Sequence, residues 1–209
     1  MKINVMSLFP EIIESSLKGL VGKAIDNKIA DLNLLDLKDF SQNKYGSIDD
    51  SPYGGGEGMV MSVEPLEACL NTIKKPGKII FLTPQGKIFN QNTAKELSSL
   101  RELTLVCGRY EGIDQRFIDS YVDEEISIGD YILSGGEIAA SVVIDAILRN
   151  KENVIGNQVS VENDSLSKGR LKGHIYTRPN EYKEKKVPEI LLSGDHKKIE
   201  EWKIGNSLW

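Results

Sequence analysis

Cysteine is scarce in this sequence. Cys69 and Cys107 are the only two, and they form no CxxC pair. One disulfide would be a weak framework, and a chain of 209 residues buries about 70% of its unfolded surface without staples. Both are expected as reduced core thiols of a cytosolic protein. Histidine is equally rare. His174 and His196 stand 22 residues apart with no carboxylate or cysteine at ligand spacing, and there is no HExxH, so no structural zinc is expected. No secretory leader opens the chain and no apolar run approaches the ~18 residues of a membrane span, which predicts a cytoplasmic protein with no membrane contact. Neither GxGxxG nor GxxxxGK[ST] occurs, so phosphate cradling is poorly supported. Internal repeats and low-complexity segments are absent as well. The net charge of −5 argues against indiscriminate nucleic-acid binding. It hides an asymmetry: residues 1–164 carry 16 Lys/Arg against 25 Asp/Glu, whereas residues 165–209 carry 10 against 6. A basic tail on an acidic body suggests polyanion contact by the tail. Solvated, lysine-rich helix ends would give the same count.

What is present is an alternation of strand-like and helix-like segments. "KINVMSLF", "ADLNLLDL", "GKIIFL", "LTLVC" and "EEISIG" are the predicted strands. Pro10 opens an amphipathic stretch over residues 10–28, and "EPLEACLNTIKK", "NQNTAKELSSL" and "SGDHKKIEEWK" have helical spacing. Asn90 or Asn92 is a plausible cap for the second of these, and Ser193 or Asp195 for the third. "EIAASVVIDAILRN" is apolar nearly all round and should be buried on most sides. Residues 41–62 read as one long loop, and 153–173 have the composition of a linker. Apolar strands alternating with helices predict an α/β fold with a mostly parallel sheet and helices on both faces.

Ligands of a parallel sheet sit beyond the carboxyl ends of its strands. Three unusual loops leave three strands there: "LTPQG" from Leu82, "GRYEG" from Gly108, and "SIGDYILSGGE" from Ser127. The last is too hydrophobic for a solvated turn and too rich in glycine for a strand. Its glycines would let a ligand lie against bare backbone, with Tyr131, Ile132 and Leu133 supplying apolar surface.

These three strings, in this order, resemble the bacterial tRNA (guanine-N1)-methyltransferases, S-adenosylmethionine enzymes of the SPOUT class with a trefoil-knotted α/β fold. "SLFPE" at 7–11, "PYGGGEGM" at 52–59, "CGRYEGID" at 107–114, "DS" at 164–165 and "HIYTRP" at 174–179 extend the resemblance over almost the whole chain. It implies a knotted donor-binding domain over residues 1–155, a flexible linker over 156–170, and a small, shortened helical tRNA-binding domain over 171–209. The knot is an expectation of the resemblance alone, because knots are nearly absent from known folds.

The implied donor site comprises Phe81, Leu82, Thr83, Pro84 and Gln85; Gly108 and the residues up to Gly112; and Ser127, Ile128, Gly129, Asp130, Tyr131, Ile132, Leu133, Gly135 and Gly136. Phe81 stands where the family often has tyrosine, and "KGRL" stands where it has a "DGLL"-like string. The implied reaction moves the methyl of S-adenosylmethionine to N1 of the guanine 3′ to the anticodon, position 37 of tRNA. Asp164 aligns with the general base and Arg149 with its partner arginine. By composition alone, Asp164 would be solvated in a polar linker and Arg149 would serve a helix C-terminus. Glu111 could hold the guanine, orient the donor's positive end or bind Mg2+; a salt bridge to Arg109 or Arg116 is the alternative. "PYGGGEGM" could line the guanine entrance or be only a turn. The family resemblance also implies an antiparallel homodimer, with helix 137–148 at the interface and each active site shared between subunits.

Three other functions compete. A catalytically silent RNA-binding module would keep the basic tail but not need Asp164 or Arg149. A knotted methyltransferase acting on ribose would not be expected to carry "GRYEGID" and "SIGDYILSGGE" together. A doubly wound enzyme of nucleotide metabolism is disfavoured by the missing phosphate motif.

Overall fold

The structure, a computed structural model, describes residues 1–41, 47–155, 166 and 171–207. The chain divides into two compact units, Met1–Gly156 and Asn157–Trp209.

The first unit begins with β1 (Lys2–Ser7), α1 (Pro10–Ser16), α2 (Gly19–Asp26) and β2 (Asp31–Asp36), followed by a 3-10 turn at Leu37–Phe40. The short strands β3 (Asp49–Asp50) and β4 (Val60–Met61) pair antiparallel. Then come α3 (Val63–Asn71), β5 (Lys78–Ile88), α4 (Gln91–Ser98), β6 (Glu102–Cys107), α5 (Gln115–Tyr121), β7 (Glu124–Ser127) and α6 (Glu137–Arg149). Five strands make one sheet in the order β2-β1-β6-β5-β7, every neighbouring pair parallel.

Burial explains why these strands read as continuous apolar runs. Successive side chains point to opposite faces, and both faces are covered. Ile3 and Val5 of β1, Ile80 and Leu82 of β5, and Leu103 and Leu105 of β6 join a core with Ile13, Val21, Leu97 and the inner side of α6. The intervening Met6, Ile79, Phe81 and Val106 join a second core with Leu37, Leu66, Leu70 and Phe117 on the other face. Helices therefore flank both faces, as the alternation predicts.

Three local expectations change. The amphipathic stretch 10–28 is two helices, because Lys18 turns fully extended (ψ −176°). The break still leaves Ile13, Leu17, Val21 and Ala24 buried along one side. The strand expected to stop at Leu82 continues to Ile88. Leu82 and Lys87 both oppose Ile126, so Thr83–Gly86 bulge out of register between them. Finally, α5 is a helix that the sequence reading does not contain. Only Phe117 of its seven residues is buried, so it offers almost no periodicity to read.

The second unit holds a small hairpin, Glu181–Tyr182 with Lys185–Lys186, and two helices, Glu189–Leu192 and His196–Gly205. Asp195 caps the longer helix by accepting from the Lys198 N–H, one of the two caps anticipated. Tyr176 lies tilted against Trp202, ring centroids 6.3 Å apart. Among the described residues of this unit none is fully buried.

Candidate functional site

The strand order sets β5, β6 and β7 side by side, and the bulge of β5 with the exit loops of β6 and β7 encloses one cleft of about 520 Å³. That volume suits a small-molecule ligand. Phe81, Leu82, Thr83, Pro84 and Gln85 form one wall. Gly108 to Gly112, including Glu111, form the next, and Ser127, Ile128, Gly129, Tyr131, Ile132, Leu133, Gly135 and Gly136 the third. The sequence placed all of these in one site. Asp130 is exposed and is not among the lining residues.

Close backbone approach accounts for two of the glycines. A Cβ on Gly136 would stand 2.8 Å from the Cys107 Cα, and the Gly136 N–H donates to the Gly108 carbonyl at 2.9 Å. The third loop is thus pinned to the end of β6. A Cβ on Gly86 would collide with the backbone of Glu125 and Ile126, which is where the bulge of β5 rejoins β7. Tyr131 and Ile132 stay 54% and 81% exposed, so the apolar tip of the third loop faces outward at the mouth of the cleft.

The second loop is held from the other side. Tyr110 has a left-handed backbone (φ 58°), uncommon for a large residue. The Glu111 N–H donates to the Met59 carbonyl and the Met61 N–H to the Gly112 carbonyl, both at 3.0 Å. These bonds tie "GRYEG" to the end of "PYGGGEGM". A Cβ on Gly58 would meet the Glu111 carboxylate at 2.6 Å. Farther along that glycine-rich stretch, Tyr53 is 99% exposed.

The charged groups sort differently from the sequence expectation. Glu111 pairs with neither Arg109 nor Arg116. Arg116 binds Asp114, whose carboxylate also accepts the Arg116 backbone N–H and caps α5; this hydrogen bonding holds the Asp114 carboxyl below its usual range. Arg109 binds Glu137, with its Nε 3.1 Å from Oε2 and a terminal nitrogen also 3.1 Å away. The Ser7 hydroxyl donates to Glu137 Oε1 at 3.0 Å, and the Arg109 guanidinium lies over the Phe9 ring, 4.4 Å from its centroid. Glu137 is only 1% exposed. Sequence reasoning missed this cluster, although the signal was there: a glutamate opening an otherwise apolar helix needs a partner if it is buried.

Both thiols are buried, as expected. Burial pushes Cys69 up to about 12, helped by Asp36 and Asp39. Cys107, beside Gly136, is raised well above its ordinary value by burial and then by Glu137. Among the described residues no three His, Cys, Asp or Glu side chains cluster as a metal site would require, and no helix is long and apolar enough to cross a membrane. Arg149 is exposed at the far end of α6 and does not line the cleft. Asp164 lies outside the described residues.

Comparison with known proteins identifies the family. The family model described as tRNA (Guanine-1)-methyltransferase TrmD matches residues 1–208. A tRNA (guanine-N(1)-)-methyltransferase of Fusobacterium nucleatum is 48% identical over 209 residues, covering 100% of this chain and 87% of the relative. One from Treponema denticola is 48% identical over 206 residues, 98% of this chain and 84% of the relative. One from Clostridium botulinum is 46% identical over 210 residues, 100% of this chain and 87% of the relative. The chain belongs to the tRNA (guanine-1)-methyltransferase family.

Proposed function

We propose that this chain methylates N1 of the guanine at position 37 of tRNA, with S-adenosylmethionine as donor. One observation carries the reading: the three loops singled out in the sequence enclose a single cleft at the strand-order switch of a parallel sheet. The cleft fits the donor in kind. Its glycines bring bare main chain to the surface, suited to reading adenine and ribose edges, and Leu82, Ile128 and Tyr131 supply apolar contact. When bound, the donor supplies a methyl group on a sulfonium, already a good leaving group. The protein's own task is to ready the guanine.

Guanine N1 carries a proton and is a poor nucleophile until that proton leaves. In this reading Asp164 takes it, and Arg149 donates to O6, where the negative charge collects. An unperturbed aspartate, with a pKa of about 3.9, is a weak base for this. The arginine compensates by lowering the pKa of the guanine itself. In this reading Glu111, exposed on the cleft wall, holds the guanine's exocyclic amine.

We further propose a trefoil knot, in which the chain after β7 threads the loop of β5, and an antiparallel homodimer with shared sites. The tight seating of Gly136 on Cys107 supports the first. Two features support the second. Ile138 and Val142, four residues apart on α6, are 49% and 45% exposed although the helix is otherwise largely buried, and Arg149 is remote from the cleft of its own chain. The basic second unit would contact the anticodon stem.

The test is methyl transfer from labelled donor to unmodified tRNA carrying G or A at position 37, followed by nucleoside analysis. The expected product is 1-methylguanosine from the G37 transcript and none from the A37 transcript. A methylated ribose, or no transfer, would reject the reading.

A further inference from the structure

The cleft that would receive a cation already contains one. Arg109 lines it, with a side chain 19% exposed. A permanently charged guanidinium on that wall would repel a sulfonium. The structure cancels the charge locally. Glu137, at the first turn of α6, is 1% exposed and takes two contacts from Arg109 at 3.1 Å. The Ser7 hydroxyl adds a bond to the other carboxylate oxygen, and Phe9 covers the guanidinium face. Gly135 leaves no wall between this pair and the third loop: a Cβ there would stand 2.5 Å from Arg109 Nε and 2.6 Å from Glu137 Oε2.

Resting on the donor site proposed above, we infer that Glu137 is a positioning and charge-balancing residue: it fixes Arg109 across the second and third loops and neutralises it, so that the cleft accepts a cationic donor. Geometry alone would not require a charge here, because a neutral hydrogen-bonding pair could brace the same loops. The charge matters because donor and product differ in it. S-adenosylmethionine carries the sulfonium, and S-adenosylhomocysteine is a neutral thioether of nearly the same shape. Any purely structural damage at Glu137 would weaken both ligands together, whereas an uncovered Arg109 would penalise the donor alone.

The experiment is calorimetric titration of the whole protein with each ligand, comparing wild type, Glu137→Gln and the double variant Glu137→Gln with Arg109→Gln. The glutamine should lower the donor-to-product affinity ratio by about tenfold, since unit charges several ångströms apart in a partly buried site interact on that scale. Removing the arginine as well should return the ratio to the wild-type value. Equal weakening of both ligands, or a ratio still depressed in the double variant, would overturn the inference. If circular dichroism shows Glu137→Gln unfolded, the single variant Arg109→Gln at pH 8.5 replaces it. There the remaining carboxylate should raise the ratio, and a fall or no change would overturn the proposal. Wild-type protein that binds neither ligand would reject the donor site itself, and this inference with it.

Discussion

The two ends of α6 are treated differently by the fold. At the N-terminal end Glu137 is buried, bridged to Arg109 and Ser7, and set against the cleft. At the C-terminal end Arg149 is exposed. Thirteen residues put the two about 18 Å apart along the axis. Both charges belong to the same helix, yet only one can serve the cleft of its own chain. The difference suggests a division of labour: one end braces the cleft proposed as the donor site, and the other is presented outward, along the side that also exposes Ile138 and Val142. A two-fold pairing through that side could bring one chain's outward end to the other chain's cleft.

Complementation puts that comparison at greatest risk and has the largest expected effect. Asp164→Ala should lower kcat about 10²- to 10⁴-fold while leaving donor affinity, measured by calorimetry, unchanged. Gly136→Val should abolish donor binding instead. Mixing the two dead proteins after dissociation should recover about a quarter of the wild-type rate, because half the dimers are hybrids and each hybrid has one intact site. A mixture that stays inactive would mean that base and donor site belong to one chain.

The next effect is on the buried end alone. Gly136→Ala places a methyl 2.8 Å from the Cys107 Cα, which is backbone and cannot swing away. Overpacking of this kind typically costs about 1–3 kcal/mol, to be read from urea denaturation, and donor affinity should fall with it. A variant as stable as wild type would show that the third loop is not pinned to β6 as described.

The exposed side is tested by charge. Ile138→Asp together with Val142→Asp should leave the fold intact by circular dichroism, because both side chains already reach solvent. Sedimentation should report a shift from dimer to monomer, with loss of transfer activity. A dimer that persists would remove α6 from the interface.

Much of this contrast was legible in the sequence, and the reasons are physical. Strands buried on both faces must be largely apolar, so β1, β6 and the first half of β5 announced themselves. An asparagine cap was legible as Asn90 or Asn92, and Asn90 fills it, its carboxamide accepting the N–H groups of Asn92 and Thr93. The loops stood out because glycine is wasteful where no close approach is needed. Three things were not legible. The continuation of β5 through Thr83–Gly86 depends on β7 accepting a bulged partner, a tertiary fact. α5 buries only Phe117 fully, with Ile118 and Tyr121 half-covered beside it. The Arg109–Glu137 pair joins residues 28 apart in sequence, and Arg116 and Glu111 offered equally good local partners. The roles of Asp164 and Arg149 came from family resemblance, since nothing local distinguishes a catalytic aspartate from a solvated one.

The smallest expected effect compares two charge pairs that each have one member in "GRYEGID". Arg109 is held by a buried carboxylate, whereas Arg116 binds Asp114 with a side chain 69% exposed. Exposed pairs contribute little, so Arg116→Ala should cost less stability than Asp114→Ala at neutral pH. Asp114 does more, because its carboxylate caps α5 by accepting the Arg116 backbone N–H at 2.9 Å. Asp114→Ala should cost about 1 kcal/mol. The folded-state pKa of Asp114 is depressed, chiefly by the side-chain hydrogen bond from Arg116. Its charge-dependent stabilisation is therefore complete above the unfolded value of about 3.9 and is lost as pH falls through the lower folded value. Urea denaturation of wild type and Asp114→Ala at neutral and at acid pH should show the gap between them narrowing on acidification. A gap that stays constant would assign the whole effect to neutral capping geometry and leave the Arg109–Glu137 pair as the one of the two charge pairs whose ionisation the fold uses.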